Sequence, residues 1–316
     1  MIFKIHILSS GTGSPTKIHN QTSQLLIIRN NYFLLDCGEA TQFQLVRYKV
    51  PYMRISHIFI SHLHADHYTG LIGLINTFNL NHRTADLHIY APEGMQEIIE
   101  VQMKYSNLVL SYPLHFHQTV TDKSIMIMEN EDLTVSTIPL DHRLPTTGFL
   151  FRERILPRNM LKHKDVEIPI PAYNDLKNRK NFIDTDGTIY SWEELTKEAA
   201  PPRSYAFVTD TFYMPSIVPL IQGADVLYHE ATFGKDMNEH CEIGKHSSNI
   251  DAATIAKEAD VDKLLIGHFS NRYLDFQPLL DEAREIFPNT ELAVEGANFE
   301  ISFKKTNIDS SIKVKK

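Results

Sequence analysis

Apolar and polar residues alternate over 3–8, the period of a half-buried strand. The apolar runs 24–28 and 32–36 flank Asn30-Asn31, and we read them as a hairpin. Residues 39–48 have a helical pattern, 55–61 is a β-rich run ending at His62, and 70–78 reads as a buried helix. A strand at 86–90 precedes a helix at 94–103, where Met95, Ile98, Ile99 and Met103 recur at helical spacing. Strands are expected at 114–116, 125–128 and 133–138.

From 152 to 203 the texture changes. Prolines (Pro157, Pro169, Pro171, Pro201, Pro202) and charges replace sustained apolar stripes, so this stretch reads as an inserted arm. The α/β pattern resumes with strands at 205–208, 226–229, 263–266, 292–294 and 299–303 and helices at 215–221, 249–258 and 278–287. Ser248 or Asn249 is the natural cap of the second of these helices. The basic tail at 307–316 is expected to fray. Strands followed by helices in both halves predict two packed sheets with helices outside: an α/β sandwich forming one domain over 1–316, with the arm at 152–203 inserted in it.

Composition narrows the class. At 316 residues, 42% hydrophobic and 22% charged, the chain can bury a sizeable core. Its apolar runs are strand-sized, too short to span a bilayer, and the opening residues do not read as a signal peptide. Two cysteines without a CxxC exclude a disulfide framework and a Cys-rich zinc module, and fit a reducing compartment, the cytoplasm. Cys37, after a strand, is expected to be a packed thiol.

A net charge of −8 has the wrong sign for binding nucleic acid over the whole surface. Locally the sign reverses, because 152–180 carries eight Lys/Arg against four Asp/Glu. Lys177, Arg179 and Lys180 are candidate phosphate contacts there, and Tyr173 and Phe182 candidate stacking residues.

The 16 histidines are about twice the usual share. Residues 62–67 read His-Leu-His-Ala-Asp-His, after a buried strand and before a helix. Two histidines two apart at a strand end can turn toward one cation, while Asp66 and His67 on the following turn can serve a second. His142, Asp210 and His268 each follow a strand and extend the donor set. His57, His82, His88, His115, His117, His163, His229 and His240 have no motif partner and read as structural or surface residues. His115 and His117 share one strand face, but the sequence shows no third ligand beside them.

These residues resemble the metallo-β-lactamase superfamily and, within it, ribonuclease Z, the tRNA 3′-processing endonuclease. The resemblance runs over nearly the whole chain. It includes Gly11-Thr12-Gly13, the 62–67 motif, Asp141-His142, Asp210-Thr211, His229-Glu230-Ala231-Thr232-Phe233, His246-Ser247-Ser248 and His268-Phe269-Ser270-Asn271-Arg272-Tyr273. It implies a four-layer αβ/βα sandwich with two zinc ions per subunit, one on His62, His64 and His142, the other on Asp66, His67 and His268, with Asp210 bridging. It further implies a homodimer, an arm that grips precursor tRNA, and cleavage after the discriminator nucleotide. Departures are His19 where the family's loop has Arg, Thr209 where Gly precedes the bridging Asp, and Ile170-Pro171 in place of a Gly-Pro hinge.

On this reading Asp66 orients the attacking water and accepts its proton, and His246 with Glu230 protonates the leaving 3′ oxygen. Lys17 and Arg272 are further substrate contacts. Two other readings compete: a small-molecule phosphodiesterase of the cyclic-nucleotide type, which needs no basic arm, and a non-catalytic RNA-binding module, which needs no Asp66.

Overall fold

The computed structural model describes residues 1–17, 19–161 and 167–304. The basic tail, His163 and the arm cations Lys162 and Lys164 lie outside them.

The first half forms β1 (Phe3–Ser9), β2 (Ser23–Ile28), β3 (Asn31–Leu35), β4 (Ile55–Phe59), β5 (Leu87–Ala91) and β6 (Leu114–Gln118). Next come β7 (Met126–Glu129), β8 (Leu133–Leu140) and β9 (Thr146–Glu153), and then four two-residue strands: β10 (Asn159–Met160), β11 (Phe182–Ile183), β12 (Ile189–Tyr190) and β13 (Thr196–Lys197). The chain finishes with β14 (Ser204–Val208), β15 (Val226–Glu230), β16 (Lys263–Gly267), β17 (Thr290–Leu292) and β18 (Asn298–Glu300).

Two seven-stranded sheets result, ordered β18-β1-β2-β3-β4-β5-β6 and β17-β16-β15-β14-β9-β8-β7. In each, an antiparallel part leads into a parallel run, β3 to β6 in one and β14 to β17 in the other. The inner faces pack Phe3, Ile5, Phe33 and Phe59 with Phe149, Phe151, Tyr205 and Phe207. Helix Leu71–Leu80 covers the outside of the first sheet through Leu74, Ile75 and Phe78. Helix Asn249–Glu258 covers the second through Ala252, Ala253 and Ala256. The layers are therefore αβ/βα. Parallel strands point their carboxyl ends the same way, so polar residues just past those ends gather at one rim.

Several elements differ from the sequence expectation. The hairpin turn is Arg29–Asn30, because Ile28 pairs with Asn31. That register matches Leu26 with Phe33, both in the core between the sheets, and a slip of one residue would turn them outward. The pattern gave no warning of β9, which pairs with β14. Gly148 breaks its apolar run, yet a Cβ there would lie 2.4 Å from the Phe207 carbonyl oxygen, so only glycine fits. The expected helix at 215–221 splits into a 3-10 turn, Pro215–Ile217, and a short helix, Val218–Ile221. Helix Asn238–Gly244 was not anticipated. Ser248, not Asn249, caps helix Asn249–Glu258, in a reciprocal capping box with Asp251.

The chain divides into two compact units. The larger comprises Met1–Arg152 and Ser204–Ile301; the smaller comprises, among the described residues, those of Glu153–Arg203 and 302–304. The smaller unit has its own core of Ala172, Leu176 and Leu195, with Met160, Phe182 and Trp192 packed around it. Its chain ends are joined by a buried ion pair, Arg203 Nη2 to Glu153 Oε1 at 2.8 Å. Among the described residues no helix is long and apolar enough to cross a membrane.

Candidate metal centre

His62 lies three residues past the end of β4, buried, and the short helix Ala65–Tyr68 that follows presents Asp66 and His67. His142, Asp210 and His268 follow β8, β14 and β16, so both sheets contribute to one rim. Two donor groups form there: His62, His64, His142 and Asp210 in one, and Asp66, His67 and His268 in the other.

In the first group His64 Nδ1 lies 2.9 Å from His62 Nε2 and 3.1 Å from His142 Nε2. Asp210 Oδ2 is 3.6 Å from His62 Nε2 and 3.7 Å from His142 Nε2. The other oxygen of the same carboxylate, Oδ1, faces the second group, 3.4 Å from His67 Nε2 and 3.1 Å from His268 Nε2. Asp66 Oδ2 completes that group at 3.7 Å from His67 Nε2. Zinc–ligand bonds of about 2.0–2.2 Å put neighbouring donors roughly 3–3.5 Å apart, so these separations suit small divalent cations. His67 Nε2 and His268 Nε2 are buried without a hydrogen-bond partner, the state of nitrogens aimed at a metal.

The opposite ring nitrogens are held by protein. His67 Nδ1 lies 2.7 Å from Asp36 Oδ2, His142 Nδ1 donates to the Lys245 carbonyl at 2.7 Å, and His268 Nδ1 lies 3.0 Å from Thr232 Oγ1. Ser61 N donates to Asp36 Oδ1 at 2.8 Å, and Ser61 Oγ contacts His62 Nδ1 at 3.0 Å. Such partners fix the tautomer and aim of ligating imidazoles. Asp36 and Ser61 carry no motif in the sequence, and Thr232 stands there only as one residue of the stretch 229–233. The available signal for Asp36 was a polar residue closing an apolar strand, and nothing local connects it to His67. Asp36, Asp210 and His268 have φ of 54°, 33° and 61°, left-handed backbone that ordinary residues adopt at a cost.

Burial, foremost, lowers the basicity of His62, His64, His142 and His268, leaving neutral imidazoles with lone pairs to offer. Burial works against the charge on Asp66, but nearby His67 and His268 hold its carboxyl below the usual range. Gly13 N donates to Asp66 Oδ2 at 2.7 Å.

Glu230 closes β15, an interior strand and not a sheet edge, and is fully buried. It accepts from Thr211 N at 2.6 Å and Thr232 Oγ1 at 2.5 Å, and its Oε1 lies 3.0 Å from His246 Nδ1. Burial opposes a charge on His246, yet the Glu230 carboxylate lifts its pKa to about 9. Asp210, His246 and His268 also lie within ligand distance of one another, so His246 borders the metal groups.

Lys17 and Arg272 are both exposed, on loops that Asn271 joins by donating to the Thr12 and Ser14 carbonyls at 3.3 and 2.7 Å. The His19 ring lies tilted against Phe276, with centroids 5.4 Å apart. In the smaller unit Lys180 is exposed and Lys177 half-buried, whereas Arg179 lies 3.3 Å from Glu198, which also binds Arg158. Cys37 is fully buried, and burial pushes its thiol up to about 12, so it packs and does not react.

Comparison with known proteins places this geometry. A family model described as the anti-Pycsar protein Apyc1 matches residues 4–164. A ribonuclease Z from Bacteroides fragilis is 42% identical over 295 residues, covering 93% of this chain and 97% of the relative. A ribonuclease Z from Cytophaga hutchinsonii is 42% identical over 313 residues, covering 98% and 100%. The crystal structure of the short form of human tRNase Z superposes with a TM-score of 0.68 at 23% identity, covering 95% of this chain and 99% of that one. Yeast PDE1 shares the fold more distantly, with a TM-score of 0.56 at 11% identity and 94% and 99% coverage.

Proposed function

The chain belongs to the ribonuclease Z family and, over residues 4–164, to that of Apyc1, and on that premise we propose that it is a zinc-dependent endoribonuclease that removes the 3′ trailer of precursor tRNA by cutting after the discriminator nucleotide. The observation that carries the chemistry is Asp210, whose two oxygens face two separate donor groups. In this reading His62, His64 and His142 would hold one zinc and Asp66, His67 and His268 the other, with Asp210 offering one carboxylate oxygen to each group. When bound, a zinc pair supplies Lewis acidity toward the phosphodiester and lowers the pKa of coordinated water toward 7.

The protein's own groups do the rest. Asp66, oriented by the Gly13 amide, takes the proton of the attacking water on its carboxylate. His246 holds a proton at neutral pH because Glu230 stabilises the imidazolium, and it gives that proton to the departing 3′ oxygen. Thr211 and Thr232 fix Glu230 so that it orients His246 without moving itself. Lys17 and Arg272, on joined loops, contact substrate phosphates. Residues 152–203 act as the substrate-binding arm, with Lys177, Arg179 and Lys180 against the tRNA backbone. A homodimer is supported by exposed Phe43 and Val46 on helix Thr41–Arg47, and the cytoplasm by two buried free cysteines.

The Apyc1 match and the likeness to yeast PDE1 favour the second reading, a small-molecule phosphodiesterase, since the same donor groups serve either substrate. End-mapped cleavage of a precursor tRNA with a 3′ trailer separates them. One cut beside the discriminator, lost in Asp66→Ala, is expected. No cut, with small phosphodiesters still hydrolysed, would transfer the assignment to the second reading.

A further inference from the structure

A second cluster of histidines lies outside the donor groups around Asp210. The parallel register of β4, β5 and β6 aligns His57 with His88 and His88 with His115. All three rings stand on one face of the sheet and stack, with centroids 5.0 Å apart at 18° and then 4.7 Å apart at 17°. His117, two residues along β6, stacks on Tyr90 at 4.4 Å and brings its Nε2 to 3.0 Å from His88 Nδ1. Just before β5, Asp86 places Oδ2 3.1 Å from His115 Nε2.

We propose that Asp86, His88 and His115 form an additional binding site for a divalent transition-metal ion of the zinc type, with His117 orienting His88. One donor atom from each of the three residues lies within 4.8 Å of the other two. His117 Nε2, 3.0 Å from His88 Nδ1, orients the His88 ring and leaves its Nε2 free to face the ion. The stacked pair closes on an ion by a turn of the His115 ring, which sits on the outermost strand of its sheet with 43% of its side chain exposed. Asp86 is 55% exposed, so an ion has a path in and room to keep water ligands.

The surroundings are built to hold these groups. Buried Arg83 donates to the carbonyls of Ala85, Asp86 and Met53 at 2.7, 2.6 and 3.2 Å, fixing the backbone that enters β5. Its guanidinium also rests over the Phe78 ring at 5.0 Å. Burial and the neighbouring rings keep His57, His88 and His117 neutral at pH 7, the form that binds metals. An ion here ties β5 to edge strand β6 and stabilises the fold by mass action.

The test counts metal. The whole chain and its His88→Ala/His115→Ala variant are dialysed against zinc, and bound zinc per chain is measured by elemental analysis, with circular dichroism to establish that both are folded. The unchanged protein should hold one zinc more than the variant; equal content overturns the proposal. Should the variant misfold, anomalous scattering at the zinc edge from crystals of the unchanged protein decides. A peak between Asp86, His88 and His115 supports the site, and no peak there overturns it.

Discussion

Asp36 Oδ2 lies 2.7 Å from His67 Nδ1, although 31 residues separate the two in sequence. Both side chains are fully buried, and the Ser61 amide and hydroxyl hold the same carboxylate at 2.8 and 3.0 Å. The pair directs His67 Nε2 toward Asp210; burial alone would depress the basicity of this ring, and Asp210 and then Asp36 raise it. Replacing Asp36 by Asn keeps the shape and removes the charge. Metal affinity should then fall about 10–100-fold, as for other outer partners of ligating histidines. Competition against a chelator measures it, and unchanged affinity would reduce Asp36 to a packing role.

Within the smaller unit Glu153 and Arg203 pair, both buried, with Arg203 also 3.9 Å over the Phe303 ring. Removing one member of a buried ion pair costs about 3–5 kcal/mol, far more than the pair contributes when intact. Glu153→Ala should lower stability by that order in denaturant unfolding. A loss under about 1 kcal/mol would show that water reaches the pair.

His6 carries a buried Nε2 without a hydrogen-bond partner, and burial, aided by Lys4, lowers its pKa to about 4. Its folded pKa thus lies below the unfolded value of 6.5. As pH falls through that window, the unfolded chain takes up a proton that the folded chain refuses, so stability drops and then levels off below about 4. His6→Gln should flatten this part of the stability–pH curve. Urea midpoints of the two proteins across the window test it; parallel curves would refute it.

For the proposed arm, the Arg179–Glu198 pair makes Lys177 and Lys180 the readier phosphate contacts. Exposed pairs hold weakly, so tRNA can still draw Arg179 away. Reversing all three charges should weaken precursor binding and lower the slope of log affinity against log salt by about 1 per lost phosphate contact. Zinc content should not change. An unaltered salt titration would exclude these residues from the interface.

The sequence alone determined the kinds of element and most of their places. Strand and helix periods are local, so helix Asn249–Glu258 and strands such as β1 were legible from residue spacing. It also supplied the candidate donors His62, His64, Asp66 and His67, because six consecutive residues at a strand end carry their own geometry. Short range hid β9, where Gly148 breaks the apolar pattern to let the Phe207 carbonyl approach. Tertiary structure decided which Asp210 oxygen meets which donor group, that Asp36 backs His67, and that Asp86 and His88 join His115 and His117. Those relations depend on sheet order and register, which arise from burying distant strands together and leave no trace in local spacing.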